Sequence, residues 1–516
     1  MHGSGQPAVI DGPGGTGSSR TGQTAPAQPP GAAGLSGPWV ALLPAAVTLL
    51  AGLYRISGPS FSKDEAATLA AVHRSFPQLI RMLGSVDVVH GAYYVLIWAV
   101  VRLAGSSSEL TVRLPSALAM AAAAGVVALL GRRLVSGWAG LAAGLLFAIL
   151  PSVSAYAQDA REGAILAALA ATASYCLLRA ADAGRSRRRW LAGYGVTLAL
   201  LGFGNLFALL LVAAHAITLL AWGSGRRDRG LVRGWLVAVA AAAVAVSPVA
   251  VVGYSQLHQI RWIQPPDLND VVSVQRLLGR TSLLIATVVV VAAAAGYCAA
   301  RRVPLGRYWP GRLVALCLPW LILPPVILLT ASLIQPVYTF RYIVFCIPAA
   351  ALLIAPALAA LGGYAGPAAL ITLLVIGLPS QSFERSAVGH GINIRKLDQI
   401  VARHHQPGDA LLNVSARRGP QKGTGECTLE AAYPYGLARL RNISTGLSPQ
   451  QSGTLGGTYA STQVIRERAA TVRRIWVVEW TSPQRVVVLD GLGFRLVHRW
   501  DIQGLWLRLY VRGARR

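Results

Sequence analysis

At 516 residues, 54% hydrophobic and 13% charged, the chain has the composition of a polytopic membrane protein and excludes a large soluble one. A formal charge of +27 would suit a nucleic-acid binder. However, all but Lys63, Lys396 and Lys422 of the 47 basic residues are arginines. Many of these arginines sit in short loops between apolar stretches, where they fit membrane topology and anionic headgroups, so no nucleic-acid partner is expected.

Residues 1–37 are rich in Gly, Pro, Ser, Thr and Gln, lack an apolar run, and read as a disordered cytoplasmic leader. Apolar segments then follow at 38–56, 110–131, 137–154, 163–180, 190–204, 205–222, 232–252, 282–300, 313–332, 341–360 and 364–380. They predict about eleven transmembrane helices within 38–380. The stretch 190–222 reads as two short spans meeting near Gly202-Phe203-Gly204-Asn205, or as one long tilted helix. The stretch 88–104 is a poor further span, because its apolar core of about 12 residues makes only about 18 Å of helix against a hydrocarbon thickness of about 30 Å. If 88–104 lies at the interface, one set of loops collects Arg132, Arg133, Arg185, Arg187, Arg188, Arg189, Arg226, Arg227, Arg229, Arg301, Arg302, Arg307 and Arg312. The opposite loops hold Arg161, Arg261, Arg276 and Arg280. The positive-inside rule then puts the N-terminus in the cytoplasm and makes 57–109 one long extracytoplasmic loop with two or three juxtamembrane helices, the second starting near Pro77. The tail 381–516 is polar and falls outside the membrane on the same side. A helix at 394–404 and strands at 410–414, 474–480, 494–500 and 505–511, with a short helix or turn at 483–489, predict a small α/β domain. Cys176, Cys298, Cys317 and Cys346 lie in apolar spans and leave Cys427 alone in the tail, so no disulfide is expected there.

The ionisable residues of the predicted outer face carry the functional signal. Asp64 and Glu65 form an adjacent acidic pair at the start of a helix-permissive run, followed by Asp87, His90, Tyr93 and Tyr94. Arg113 opens the second span, Asp159 and Arg161 lie between the third and fourth, and Arg341-Tyr342 opens the tenth. Charges at a membrane face are expensive and generally line a cavity. Acids and arginines around one cavity suit transfer from a phosphate-linked donor to a hydroxyl: a carboxylate takes the proton and arginines hold the leaving phosphate. Plainer readings stand beside this one. Asp64 suits a helix-start charge, Arg113 and Arg341 suit interfacial anchors, Asp159 and Arg161 suit a local ion pair, and His90 suits an ordinary loop residue. No HExxH, Walker, GxSxG or CxxC pattern occurs.

Taken in order, these motifs resemble the GT-C polytopic glycosyltransferases, in their bacterial family 39-like branch of protein mannosyltransferase- and aminoarabinose transferase-like proteins. The resemblance rests on Asp64-Glu65, on the run from Asp87 through His90 to Tyr93-Tyr94 (which lacks the family's two prolines), and on Ser108-Glu109 through Arg113-Leu114-Pro115-Ser116. It rests also on Tyr156-Ala157-Gln158-Asp159-Ala160-Arg161, with Asp in place of the family's Glu, and on Arg341-Tyr342. It implies a GT-C-like membrane domain at 38–380 with an accessory α/β domain at 381–516, in a bacterial plasma membrane. The implied activity moves a sugar, with inversion, from a polyprenyl-phosphate donor to an extracytoplasmic glycan, lipid or protein. Asp64 would be the general base and Glu65 a supporting acid. Asp159, Arg161, Arg113, Arg341 and Tyr342 would form the donor-phosphate site, and Asp87, His90, Tyr93 and Tyr94 the acceptor cavity. A divalent cation is open, with Asp64 and Glu65 as its candidate ligands. The competing class is a polyprenyl-lipid flippase or a non-catalytic lipid binder, which would spread its charges through the membrane depth and commonly show repeat symmetry.

Overall fold

The computed structural model describes residues 37–222, 228–279, 281–414, 425–479 and 486–513. Each of the eleven apolar segments is helical. Among the described residues, seven helices are long and apolar enough to cross a membrane: Glu109–Leu134, Gly163–Asp182, Arg229–Ser255, Thr281–Ala300, Gly311–Ala331, Phe340–Leu361 and Ala365–Glu384. Gly137–Ile149 and Pro151–Ala157 make an eighth such element if their 64° bend is counted within one span. Trp39–Leu53 and Leu206–Trp222 are shorter, and Arg187–Gly204 begins with three arginines. The 190–222 stretch is two helical segments, because Asn205 is extended and its side chain accepts from Phe207 N at 2.9 Å, which ends one helix and starts the next turn.

Small residues set how closely these helices pack. A Cβ on Gly140 would lie 2.4 Å from the Ala128 carbonyl and one on Gly131 2.9 Å from Gly140 Cα, so the Glu109–Leu134 and Gly137–Ile149 helices meet backbone to backbone. A buried polar chain ties four further helical segments together. Ser174 Oγ lies 3.0 Å from His215 Nε2, Tyr194 OH 3.1 Å from His215 Nδ1, and Trp235 Nε1 donates to Tyr194 OH at 3.1 Å.

In the 57–109 loop, the helix Lys63–Val72 starts at Ser62. Ser62 Oγ accepts from Glu65 N at 3.0 Å, and Glu65 Oε2 accepts from Ser62 N at 2.9 Å, a reciprocal capping box. Phe76–Ser85 follows, with Pro77 in its first turn, as expected. Val88–His90 is a 3-10 turn leading into the Gly91–Ala104 helix.

Among its described residues the tail contains five strands: β1 (Ala410–Val414), β2 (Arg441–Asn442), β3 (Arg474–Glu479), β4 (Phe494–Ile502) and β5 (Leu505–Arg512). Their order is β2-β1-β3-β5-β4, with β1 parallel to β2 and β3, and β5 antiparallel to β3 and β4. The expected strand 474–480 is seen to Glu479, with Trp480 outside the described residues. Of the expected 483–489 element, the described part is the turn Val487–Leu489. The side chain of Cys427 also lies outside what is described, whereas the other four cysteines are free and buried. Alternation divides the sheet cleanly. Ala410, Leu412, Ile475 and Val477 face a core with Ala469 of the Thr462–Ala470 helix, while Leu411, Trp476, Val478 and Leu507 face the Ile394–His404 helix. That second core continues into Phe61, Leu69, Val72, Leu79, Met82 and Tyr94 of the 57–109 loop, so sheet and loop share one apolar interior.

Gly140→Val should therefore force the two packed helices apart. The expected loss is about 1–3 kcal/mol, seen as a lower Tm of the detergent-solubilised protein. An unchanged Tm would contradict the close contact.

Candidate functional site

The acidic pair divides between two environments because consecutive helix positions point about 100° apart. Glu65 is completely buried. Its Oε1 accepts from Arg113 Nε at 2.7 Å and Ala160 N at 2.9 Å. Its Oε2 accepts from Arg113 Nη2 at 2.8 Å and faces His390 Nδ1 at 3.1 Å. Burial alone would raise the Glu65 carboxyl, but Arg113 and His390 outweigh it and hold the group well below the usual carboxylate range.

Arg113 is equally buried. Beyond Glu65, it donates from Nη1 to the carbonyls of Ile56 at 2.7 Å and Pro59 at 3.0 Å, and from Nη2 to that of Ser60 at 3.3 Å, while lying over the Phe61 ring. Expected among the phosphate-binding residues, it instead spends its guanidinium on the loop and on Glu65. Asp159 lies beside this pair. Burial first, and then the Glu65 charge, push it up to about 8 against the pull of Arg161 and Arg113.

Asp64 points the other way. Its carboxylate is 41% exposed and pairs with Arg341, itself 42% exposed. Arg341 belongs to the 3-10 turn Phe340–Cys346, which the Tyr342 ring anchors against Phe207 at 5.0 Å between centroids.

A second polar cluster joins the remaining expected residues. Asp87 adopts the left-handed conformation, which Asp tolerates, with its N–H donating to Gln259 Oε1 at 3.1 Å. Its Oδ2 accepts from Tyr94 OH at 2.9 Å. Arg161 donates to Tyr94 OH at 3.3 Å and to His90 Nε2 at 3.2 Å. Arginine can only donate, so His90 Nε2 accepts and its Nδ1 carries the proton facing Glu162 Oε1 at 3.2 Å. Tyr93 is buried in the same helix, near Ser116.

His390 escaped the sequence reading: a lone histidine after the last span carries no motif. Its Nε2 is buried without a hydrogen-bond partner among the described residues. Glu65 had a readable signal, since Ser62-x-x-Glu65 is the capping-box pattern.

Among the described residues, Glu65, Asp159 and His390 form a group whose donor atoms lie within 4.8 Å of one another, and Asp64 is not part of it. These residues do not fit a divalent cation. Both Glu65 oxygens already hold the guanidinium of Arg113, which a cation there would have to displace or oppose. Asp64 and Glu65, the expected candidate ligands, face different sides and share no site.

With this geometry in place, residues 91–252 match the family model described as dolichyl-phosphate-mannose-protein mannosyltransferase. The chain resembles ArnT from Cupriavidus metallidurans in the apo state, with a TM-score of 0.59 at 16% identity, covering 91% of this chain and 97% of that one. It also resembles ArnT of the same organism bound to undecaprenyl phosphate, with a TM-score of 0.57 at 15% identity, covering 91% and 98%. The arabinofuranosyltransferase AftD from Mycobacteria aligns at a TM-score of 0.50 and 19% identity, over 92% of this chain and 41% of that one. Among curated proteins, none matches. The chain therefore shares the fold of the ArnT structures, and the family-model match over 91–252 agrees with the resemblance read from the motifs.

Removing one partner of a buried ion pair strands the other, at about 3–5 kcal/mol. Arg113→Met and Glu65→Gln should each lower the Tm strongly. The low Glu65 pKa gives stability that is complete above its ordinary value of 4.5 and lost as pH falls through the depressed one. Asp159 runs oppositely: its raised pKa withdraws stability as pH climbs from 3.8 towards about 8. Asp159→Asn should therefore gain stability relative to the parent between pH 5 and 8 in a Tm-versus-pH series. A parallel pair of curves would contradict this.

Proposed function

We propose that the chain is an inverting glycosyltransferase that moves a sugar from a polyprenyl-phosphate donor to an extracytoplasmic acceptor. The observation that carries this reading is the half-exposed Asp64 carboxylate set against Arg341, on a helix pinned from beneath by Glu65 and Arg113. An acceptor hydroxyl attacks the anomeric carbon and loses its proton to Asp64. The bond from that carbon to the phosphate oxygen breaks, and the electron pair leaves with the polyprenyl phosphate. Arg341 and Arg161 offer guanidinium groups for the growing phosphate charge. Asp159, beside the Glu65–Arg113 pair, shapes the donor side, and Asp87, His90, Tyr93 and Tyr94 form the acceptor wall. The donor class extends to this chain from the undecaprenyl phosphate bound by ArnT, which shares its fold. The acceptor is a glycan, lipid or protein.

We further propose eleven crossings of a bacterial plasma membrane, with 1–37 cytoplasmic and both 57–109 and the accessory domain 381–516 outside. Supporting this, Asp182 is paired with Arg133 at 2.9 Å and Arg312 at 2.8 Å, an arginine-rich cluster from the loops expected inside. The charges of the candidate site come from loops expected on the other side, a one-sided arrangement that suits transfer better than a flippase.

Asp64→Asn keeps the side chain's size and removes its proton acceptor. Transfer of sugar from a labelled polyprenyl-phosphate donor in membranes should fall by about 10²–10⁴, without loss of donor binding. Near-normal turnover would move the base elsewhere, with Asp159 the next candidate. For topology, a membrane-impermeant thiol reagent applied to intact cells should label Ser85→Cys and spare Arg185→Cys. The reverse pattern would overturn the arrangement.

A further inference from the structure

The Asp64–Arg341 pair differs from its neighbours in exposure. Glu65 and Arg113 are fully buried and Arg161 and Glu162 nearly so, whereas Asp64 and Arg341 keep 41% and 42% of their side chains open. Their backbones are nevertheless held. Asp64 lies in a first turn closed by the Ser62–Glu65 box, and Arg341 is followed by Tyr342, packed on Phe207. The two charged heads can therefore change partners while the chains carrying them stay in place.

A guanidinium binds carboxylate and phosphate through the same forked donors. A phosphate approaching Arg341 therefore meets Asp64 Oδ2 already on one of those donors, Nη1. That oxygen has a lone pair directed at the guanidinium and away from an acceptor hydroxyl. Resting on the reading of the site given above, we infer that Asp64 occupies the donor-phosphate position on Arg341 until the donor arrives. Exchange of carboxylate for phosphate then frees the base. The site is thereby ordered, donor first and acceptor second, and a hydroxyl that enters alone finds Asp64 Oδ2 already engaged.

The two substitutions that test this fall on exposed side chains and leave the buried cluster intact. Undecaprenyl phosphate affinity would be measured on the full chain in nanodiscs for the parent, Asp64→Asn, Arg341→Ala and the double variant. Removing the competing carboxylate should tighten binding about two- to five-fold, the scale of an exposed ion pair. Arg341→Ala should weaken binding, and in that background Asp64→Asn should bring no gain, because nothing remains to compete for. Unchanged or weaker binding in Asp64→Asn would overturn the inference. So would a gain that persists undiminished beside Arg341→Ala, since that is general charge repulsion rather than exchange. A parent protein with no affinity for undecaprenyl phosphate would instead overturn the donor reading, and this inference with it.

Discussion

The junction of the 57–109 loop with the tail depends on one buried ion pair. Taking a carboxylate and a guanidinium out of water costs several kcal/mol for each ion, and their attraction offsets this only when the remaining donors and acceptors are also satisfied. Between Glu65 and Arg113 they are. The carboxylate collects the Ala160 and Ser62 amides besides the guanidinium, and the guanidinium collects the carbonyls of Ile56, Pro59 and Ser60. Each partner belongs to a different segment: the 57–109 loop, the second turn of the Glu109–Leu134 helix, the turn before Gly163, and through His390 the chain leading to the sheet. Arg395 and Tyr433 reinforce the same junction from the tail. Arg395 donates to Glu109 at 2.7 Å and to the Pro59 carbonyl at 3.0 Å, and Tyr433 donates to Glu109 at 2.9 Å. An apolar substitute could fill the volume but could not fix the direction of four backbones at once.

That constraint makes a precisely placed base conceivable on a loop. A reacting group is useful only if held within a fraction of an ångström of its productive position, and a long loop does not ordinarily supply such precision. Here the helix bearing Asp64 is clamped one residue further on, so the backbone that carries the exposed carboxylate is held in place. The second cluster is built similarly. Arg161 reaches Tyr94 and His90 from the turn that Glu65 holds through the Ala160 amide, so both clusters refer to the same anchor.

Much of this was legible in the chain. Hydropathy located every long helix, apolar runs located β1 and β3, and alternation located β4 and β5; β2 escaped because two residues, Arg441 and Asn442, cannot show a period. The order of the charged motifs brought Asp64, Asp87, His90, Arg161 and Arg341 to one end of the bundle on paper, as they are in space. Which way each side chain turns was not legible. Glu65 and Arg113 read as site residues because charge at a membrane face usually means function, yet their hydrogen bonds all run inward. Telling an exposed carboxylate from a buried one a residue away requires the helix phase, which Ser62 sets through its cap. His390 lies 325 residues from its partner, a separation at which sequence spacing carries no signal.

The division of labour between adjacent carboxylates is the centre of this account, and a trapped complex tests it most directly. An experimental density map of Asp64→Asn with a polyprenyl-phosphate sugar and an acceptor bound would hold the reactants unreacted. The account predicts the acceptor hydroxyl about 3 Å from the side chain at position 64, with Glu65 still bridged to Arg113 beneath it. A hydroxyl placed against Asp159, or a Glu65 released from Arg113 to face the sugar, would contradict it.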